Sequence, residues 1–461
     1  MVASIAPAPA ARRRPALATL SLALALGLAG PATATVFTYE LDAGVRHDDN
    51  VNLSEDDEQT DDIVFGSLRF VVRHETPRVD LRARGNLRYL HYLAGTYDDE
   101  VRGELAAQLD WTILPNRMHW VVEDYLSREQ VDILGRPDPS NQQEVNVFLT
   151  GPTFLFRFGQ ANTGQLDLRY MHSYAEESDS FNGQRLIARG AIRREINPRT
   201  TASLHLDATA ATFRDNGEAN DYRRYDAYLH LDRRVPSLRI RADLGYTRII
   251  PNATDIASSS PLLRTNVNWN PGGRHWFNGR FDYQLADSAQ RLIQRSSDLA
   301  TETSMPIIAS GDLMDYYDAM GSGNIVVGSD AYRERRLDLG YRYEGDRVTV
   351  RVHPYVQRVR YLDNLSPGSA NLDRKSRGEA IELSYKLRPS LDLAARVFDQ
   401  RLDYQNIDRR DTIQGVSLAL LDKSARKWRW RLEASHVRRN SSEPGQSYRD
   451  NVYGFAIIRT R

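Results

Sequence analysis

The chain contains no cysteine. Disulfides, thiolate nucleophiles and cysteine-ligated metals are therefore excluded, and an oxidising compartment is compatible with that absence. Nor does either sign of charge dominate: Lys+Arg 61 stand against Asp+Glu 61, a net charge of +0. Such a balance gives no electrostatic basis for a nucleic-acid partner. Long apolar runs are missing beyond the N-terminus. A mean hydropathy of −0.55, with 26% charged residues, leaves no room there for helical membrane spans. Catalytic signatures are missing too. The 10 histidines, among them His47, His91, His172, His230 and His353, are scattered singly. There is no His-x-x-x-His helix motif, no Gly-x-Ser-x-Gly elbow and no phosphate loop, and Gly321-Ser322-Gly323 reads as flexibility. The expectation is a non-enzyme with no cofactor and no metal. No Pro/Ser-rich linker divides the 461 residues, which points to one unit where length alone would suggest about three.

What the chain does have is alternation. In Val79–Leu93 the odd positions read Val79, Leu81, Ala83, Gly85, Leu87, Tyr89, and the even ones Asp80, Arg82, Arg84, Asn86, Arg88. Side chains on a strand point alternately to two faces, so this is a strand with one apolar and one charged face. A helix of period 3.6 would scatter the arginines around its circumference. The pattern returns in Val101–Ile113 with Arg102, Glu104, Gln108 and Asp110 on the charged face. It recurs around Asp167, around Arg239, Arg241 and Asp243, around Arg336 and Asp338, and around Arg429.

The connections fall into two classes that take turns. Short ones lie near Pro77, Pro115, Gly159, Pro198, Pro236, Gly272–Gly273, Gly345, Pro389 and Asp422–Lys427. Longer polar loops lie between them, the first at Asp48–Asp62 and the longest at Asp287–Ala331. This layout predicts an all-β fold, a transmembrane antiparallel outer-membrane β-barrel of about 20 strands (about 16–22), with short periplasmic turns and long extracellular loops. A soluble sandwich or propeller is the alternative. It would not repeat charged faces along so many strands, because its strands bury one face against a second sheet. With no water in the hydrocarbon, such a sheet must close on itself.

At the N-terminus, Arg12–Arg14 precede the apolar Ala16–Leu28, and Ala32-Thr33-Ala34 fits a small-x-small cleavage site. Residues 1–34 are therefore expected to be a cleaved signal peptide. Residues 35–461 form a single barrel domain, with the loop at 287–331 either extracellular or narrowing the lumen. The expected location is the outer membrane of a Gram-negative bacterium.

Several stretches carry candidate chemistry. Asp48-x-Asn50-x-Asn52 has the spacing of a calcium loop, but Leu53 occupies its glycine position and Gln59 its bidentate glutamate position. Looser binding of divalent ions by Glu55, Asp56, Asp57, Asp61 and Asp62 stays open beside a plain solvated loop. The candidate pore-lining set is Asp80, Arg82, Arg84, Arg88, Glu104, Asp110, Asp167, Arg239, Arg241, Asp243, Arg336, Asp338, Arg351 and Arg429. Rings of charge set selectivity in pores, and arginine suits anionic solutes. Taken singly, each of these is more often one member of a wall-stiffening ion pair. Between Val145 and Phe158 both faces are apolar. Aromatic rings in a lumen would stack on sugars, while a face-swapping bulge at Pro152 or an interfacial girdle is the more ordinary outcome. Tyr89, Trp111, Trp120, Tyr170, Trp269, Trp276, Tyr341 and Trp428 suit such girdles. The chain ends Arg459-Thr460-Arg461, without the terminal aromatic of many outer-membrane barrels.

A strand running into Asp49-Asn50-Val51-Asn52-Leu53-Ser54, an acidic stretch, then Trp120-Val121-Val122-Glu123-Asp124 and Gly151-Pro152, resembles the outer-membrane porins of the β-barrel porin 2 group. That group is associated with exopolysaccharide and PEP-CTERM/exosortase systems. The resemblance implies a pore involved in exopolysaccharide export or surface polysaccharide biogenesis. A general diffusion porin for small solutes and a structural or adhesive scaffold are the alternatives. Expected partners are outer-membrane lipid, lipopolysaccharide and polysaccharide-export components.

Overall fold

The computed structural model describes residues 35–214, 220–301, 325–362, 369–424 and 426–460. The expected signal peptide 1–34 lies outside them, as does Gly321-Ser322-Gly323. The strands are β1 (Thr35–Asp48), β2 (Asp61–Glu75), β3 (Val79–Tyr92), β4 (Glu100–Leu114), β5 (Met118–Gln130), β6 (Gln142–Phe158) and β7 (Asn162–Ala175). They continue with β8 (Gly183–Asn197), β9 (Thr200–Phe213), β10 (Tyr222–Val235), β11 (Leu238–Pro251), β12 (Ser258–Gly272) and β13 (His275–Asp287). A helix, α1 (Ser288–Thr301), follows. The rest are β14 (Ala331–Glu344), β15 (Val348–Tyr361), β16 (Arg374–Arg388), β17 (Leu391–Tyr404), β18 (Arg410–Asp422), β19 (Trp428–Ser441) and β20 (Tyr448–Thr460).

Each strand pairs antiparallel with its neighbours in sequence, and β1 pairs with β20 from Glu40↔Thr460 to Asp48↔Val452. The chain is thus an all-β closed antiparallel barrel of 20 strands. The short turns and long loops fall where the alternation places them. Both Thr35 and Thr460 lie at the turn end, Thr35 opposite His74 and Thr460 donating its N–H to the Lys427 carbonyl at 3.4 Å.

Register assigns the faces. Phe37, Leu41 and Val45 on β1 lie opposite Val72, Leu68 and Val64, and these in turn opposite Ala83, Leu87 and His91. Along the barrel the outward positions are mainly apolar, with Leu206, Leu229, Leu244, Leu339, Val356, Val397, Leu418 and Ile457 exposed among them. At about 3.3 Å per residue, strands of 13–17 residues span roughly 43–56 Å. An apolar belt of about 25 Å uses only part of that, even on tilted strands. The strands therefore rise above the belt at the loop end.

Of the expected girdle residues, Tyr89, Trp111, Trp120, Tyr170, Trp269, Tyr341 and Trp428 face outward, and Trp269, Phe277 and Tyr341 stack in a row with ring centroids 5.0 Å apart. Trp276 is the exception. Phe277, Gly279 and Phe281 take the outward positions of β13, so Trp276 faces the interior, where the Arg342 guanidinium lies 4.6 Å from its ring. The expected bulge at Pro152 is also absent: β6 stays in continuous register with β5 across Gly151 and Pro152. Its two apolar faces are therefore real, with Phe148, Phe154 and Phe156 outside and Val145, Val147 and Leu149 inside.

Candidate functional site

The inner wall is built from the even residues of β3 and β4 and their register partners around the barrel. All fourteen candidate residues sit on it: Asp80, Arg82, Arg84 and Arg88 on β3, Glu104 and Asp110 on β4, Asp167 on β7, Arg239, Arg241 and Asp243 on β11, Arg336 and Asp338 on β14, Arg351 on β15 and Arg429 on β19. They are spread around the wall and along its height and do not converge in one ring.

Most are engaged with a neighbour of opposite charge. Arg82 holds Asp80 with Nη2–Oδ2 at 2.8 Å and Nε–Oδ1 at 3.1 Å. Arg336 holds Asp338 the same way along one strand, at 2.5 and 2.6 Å. Across strands, Arg239 meets Asp232 at 2.7 Å, Arg351 meets Glu382 at 3.5 Å and Arg429 meets Glu40 at 3.2 Å. Asp110 bonds to His119 at 2.9 Å, and Asp167 to Arg169 at 3.4 Å. Asp243 is shared between His230 at 2.5 Å and Arg264 at 2.8 Å. The histidines are not all isolated either: His205 stands edge-on to His230 with centroids 5.8 Å apart. Laterally paired charges stiffen a wall and leave it wettable, with little net field.

What sequence reasoning left open is the long loop after β13, which turns into the barrel. At about 4.8 Å per strand, twenty strands make a perimeter of roughly 96 Å, about 31 Å across before tilt widens it. Helix α1, with 14 residues, is about 21 Å long and covers much of that distance. It leaves the wall at β13 and reaches the inner faces of β3, β4, β5 and β6. Ala289, Leu292 and Ile293 recur at helical spacing and form its apolar stripe. With Ile325 and Val327 from the returning chain, they pack on Ala106, Tyr125, Val145, Val147, Leu149, Met171 and Ile187 of the wall. The inner apolar row of β6 is therefore the seat of this helix.

Polar contacts fix the start and the middle of α1. Asp287 precedes the helix and accepts the Gln290 N–H at 2.8 Å, satisfying one of the free donors of the first turn. Its other oxygen accepts a hydrogen bond from the Tyr222 hydroxyl and lies 3.5 Å from Nε of the buried Arg185. Arg185 in turn stacks over Phe213 at 5.1 Å and donates to Ser173 Oγ at 3.1 Å. Gln290 accepts from Arg224 at 2.6 Å. One turn further along, Arg295 is ion-paired with Glu129 on β5. The returning chain is tied by Ser288 Oγ, which donates to the Val326 carbonyl at 2.6 Å.

Two other loops also fold inward. In loop 49–60, Asn50, Val51 and Leu53 are buried, while Glu55–Thr60 are exposed, so only half of it is the solvated loop expected. Its calcium-like spacing is used for backbone bracing. Asn50 Nδ2 donates to the Ser54 and Arg449 carbonyls at 2.8 and 2.7 Å, and Asn52 Oδ1 accepts the Gln59 N–H at 3.0 Å. Leu53 does take a glycine-like φ of 48°, held there by burial among Phe398, Leu402, Tyr404 and Tyr448. Asp61, counted among the possible ion ligands, is buried and accepts the N–H groups of Ala94 and Thr96. Among the described residues no group of three or more His, Asp or Glu is arranged to hold a metal.

Loop 131–141 reaches from β5 across to β19. Arg439 donates to the Gly135 carbonyl at 3.0 Å, and Arg136 to the Leu53 carbonyl at 3.3 Å. Beneath these two loops lies a cavity of about 140 Å³ lined by Arg46, Asp48, Arg88, Glu104, Asp138 and Asp450, among others. Asp48 and Asp450 lie above the apolar belt, whose last outward members here are Val45 and Tyr453. Burial raises the carboxyl pKa of both, and for Asp450 the neighbouring Asp48 charge raises it further.

No family model matches this chain, and no curated protein matches it. Solved structures similar to it include a point mutant of the ferric enterobactin receptor PfeA of Pseudomonas aeruginosa (TM-score 0.48, 10% identity, 94% of this chain and 81% of that one). Others are the FrpB iron transporter of Neisseria meningitidis (0.45, 11%, 94% and 82%) and OpdO of Pseudomonas aeruginosa (0.37, 11%, 93% and 97%).

Proposed function

We propose that this chain is a passive outer-membrane pore for small hydrophilic solutes, narrowed by its own inward loops. The observation that carries the reading is the combination of an apolar outer belt, a charged inner wall and a helix crossing between them. An outward apolar row on a closed sheet suits a bilayer, because closure satisfies every strand edge without water. Ionised side chains spread around the inner wall outside the patch covered by α1 keep the interior wet. On this reading small molecules pass beside the crossing helix α1, which obstructs an extended chain.

The narrower reading, passage of an exported exopolysaccharide, rests on the likeness of Asp49–Ser54 to the β-barrel porin 2 group. In this barrel those residues brace a loop, and no row of aromatic side chains faces the lumen from β6 to stack on sugars. The small-solute reading is therefore preferred. Planar-bilayer recording of the refolded protein tests it, together with liposome swelling by sugars of increasing size. Ion conductance with a sharp size cut-off, relaxed when residues 288–330 are replaced by a short linker, is the expected result. A bilayer that stays silent with both proteins would overturn it.

A further inference from the structure

The outer surface above the apolar belt is not uniform. On β14 and β15 the belt ends at Leu337 and Val356, and the next outward positions, Arg335 and Arg358, are basic; on β16 Ile381 is followed outward by Glu379 and then by Arg377 and Lys375. Arg335 lies directly across from Arg358, and Arg358 directly across from Lys375. One step higher, Arg333 lies across from Arg360. Arg377 flanks the row on β16, and Arg335, Arg360, Lys375 and Arg377 are exposed. Like charges directly opposite on neighbouring strands repel, and three in register across three strands is a costly arrangement. The acids that neutralise the inner wall are absent from these positions. The nearest outward ones are Glu379, a step nearer the belt, and Asp403, which lies directly across from Lys375 on β17 and is bonded to Arg410 on its other side at 2.6 Å. Two nitrogens are left over as well: Nε of Arg333 and Nε of Arg358 are buried without a hydrogen-bond partner. An aromatic shelf borders the patch, where Tyr283 lies 4.7 Å beneath the Arg335 guanidinium.

Repelling guanidinium groups with spare donors, set in a row just above an apolar belt, match phosphate groups carried at the edge of a hydrocarbon layer. We propose that the outer wall of β14–β16 binds the phosphates of an anionic lipid in the membrane leaflet at the loop end, with Arg335, Arg358 and Lys375 as the principal contacts. The proposal rests on the reading that this wall faces a bilayer. The lipid's acyl chains lie along Leu337, Val356 and Ile381, and its phosphates span the three strands.

The test is native mass spectrometry of the full barrel in detergent, titrated with diphosphorylated lipid A, with dephosphorylated lipid A and with inorganic pyrophosphate. The expected result is binding of the diphosphorylated lipid, at least tenfold weaker for the other two probes. The triple variant R335Q/R358Q/K375Q should lose at least tenfold in affinity, and R223Q/R248Q/R438Q, which removes the same charge from the outward faces of β10, β11 and β19, should not. Equal lipid binding by the two triple variants, or pyrophosphate binding as tight as the lipid's, would overturn the proposal. Should the first variant misfold, R358Q alone serves, with at least a threefold loss expected and no loss overturning it. Bilayer conductance of the same variants keeps the two readings apart, since a conducting variant without lipid affinity supports both.

Discussion

Arg295 on α1 is ion-paired with Glu129 on β5, although the helix that carries it springs from β13 on another part of the wall. The guanidinium is 16% exposed and the carboxylate 6%. One contact thus ties the middle of a helix that crosses the lumen to the strand it reaches.

Breaking that pair leaves Glu129 charged and uncompensated in a mostly buried site, at a cost of about 3 kcal/mol. Arg295→Ala should therefore loosen the helix from β5. Single-channel recording is expected to show larger, noisier conductance steps. The swap R295E/E129R should restore the wild-type trace; a swap as noisy as the single variant would argue against the contact.

At the start of α1, Asp287 both caps the helix and faces Arg185. Asp287→Ala removes the cap, worth about 1 kcal/mol, and strands a buried guanidinium, worth roughly 3–5 kcal/mol. Asp287→Asn keeps the capping oxygen and loses only the charge. Thermal unfolding in detergent should rank wild type above Asn above Ala. An Asn variant as stable as wild type would mean that Arg185 does not depend on this carboxylate.

The two faces of β6 can be told apart chemically, because the chain has no cysteine of its own. Phe148→Cys is expected to resist a water-soluble thiol reagent in liposomes and to react with a membrane-soluble one. Val147→Cys should resist both while α1 covers it, and react with the water-soluble reagent once residues 288–330 are removed. Rapid labelling of Val147→Cys in the intact barrel would contradict the seating of α1.

Acidity should tighten the loop end. Asp48 and Asp450 have carboxyl groups raised by burial, so protonation is easier in the folded protein than in the unfolded chain. Their stabilising contribution is present at and below the ordinary carboxylate range and is lost as pH rises through the raised folded-state values. The melting temperature in detergent is expected to be higher at about pH 5 than at about pH 8, and Asp450→Asn should shrink that difference. An unchanged difference in the variant would remove this pair as its source.

Much of the wall was legible in the sequence because a period of two leaves a mark at every residue. Val79–Leu93 alone separates Arg82 and Arg84 from Leu81 and Ala83, and prolines such as Pro77, Pro115 and Pro198 punctuate the turns. Trp276 was misread because Phe277 beside it is also aromatic, so the pair does not declare which ring faces out. The inward course of α1 was harder still. A loop's direction is decided by what it meets, and its partners Glu129, Arg185 and Tyr222 lie far away in the chain. One local sign existed: the inner row Val145, Val147, Leu149 was too apolar for a wet lumen and needed a cover. The pairing of the fourteen charged residues could be guessed only as a tendency, since it depends on register across strands.

The seam between β1 and β20 has a consequence for biogenesis. Strand β1 takes one neighbour from the very next stretch of polypeptide and the other from the last strand of the barrel to be made, so two bare edges persist until the whole domain has been synthesised. A nascent chain still short of β20, or one clipped ahead of it, could not seal itself in a bilayer. On the proposed pore reading, a deletion confined to β20 should block insertion as completely as losing half the barrel.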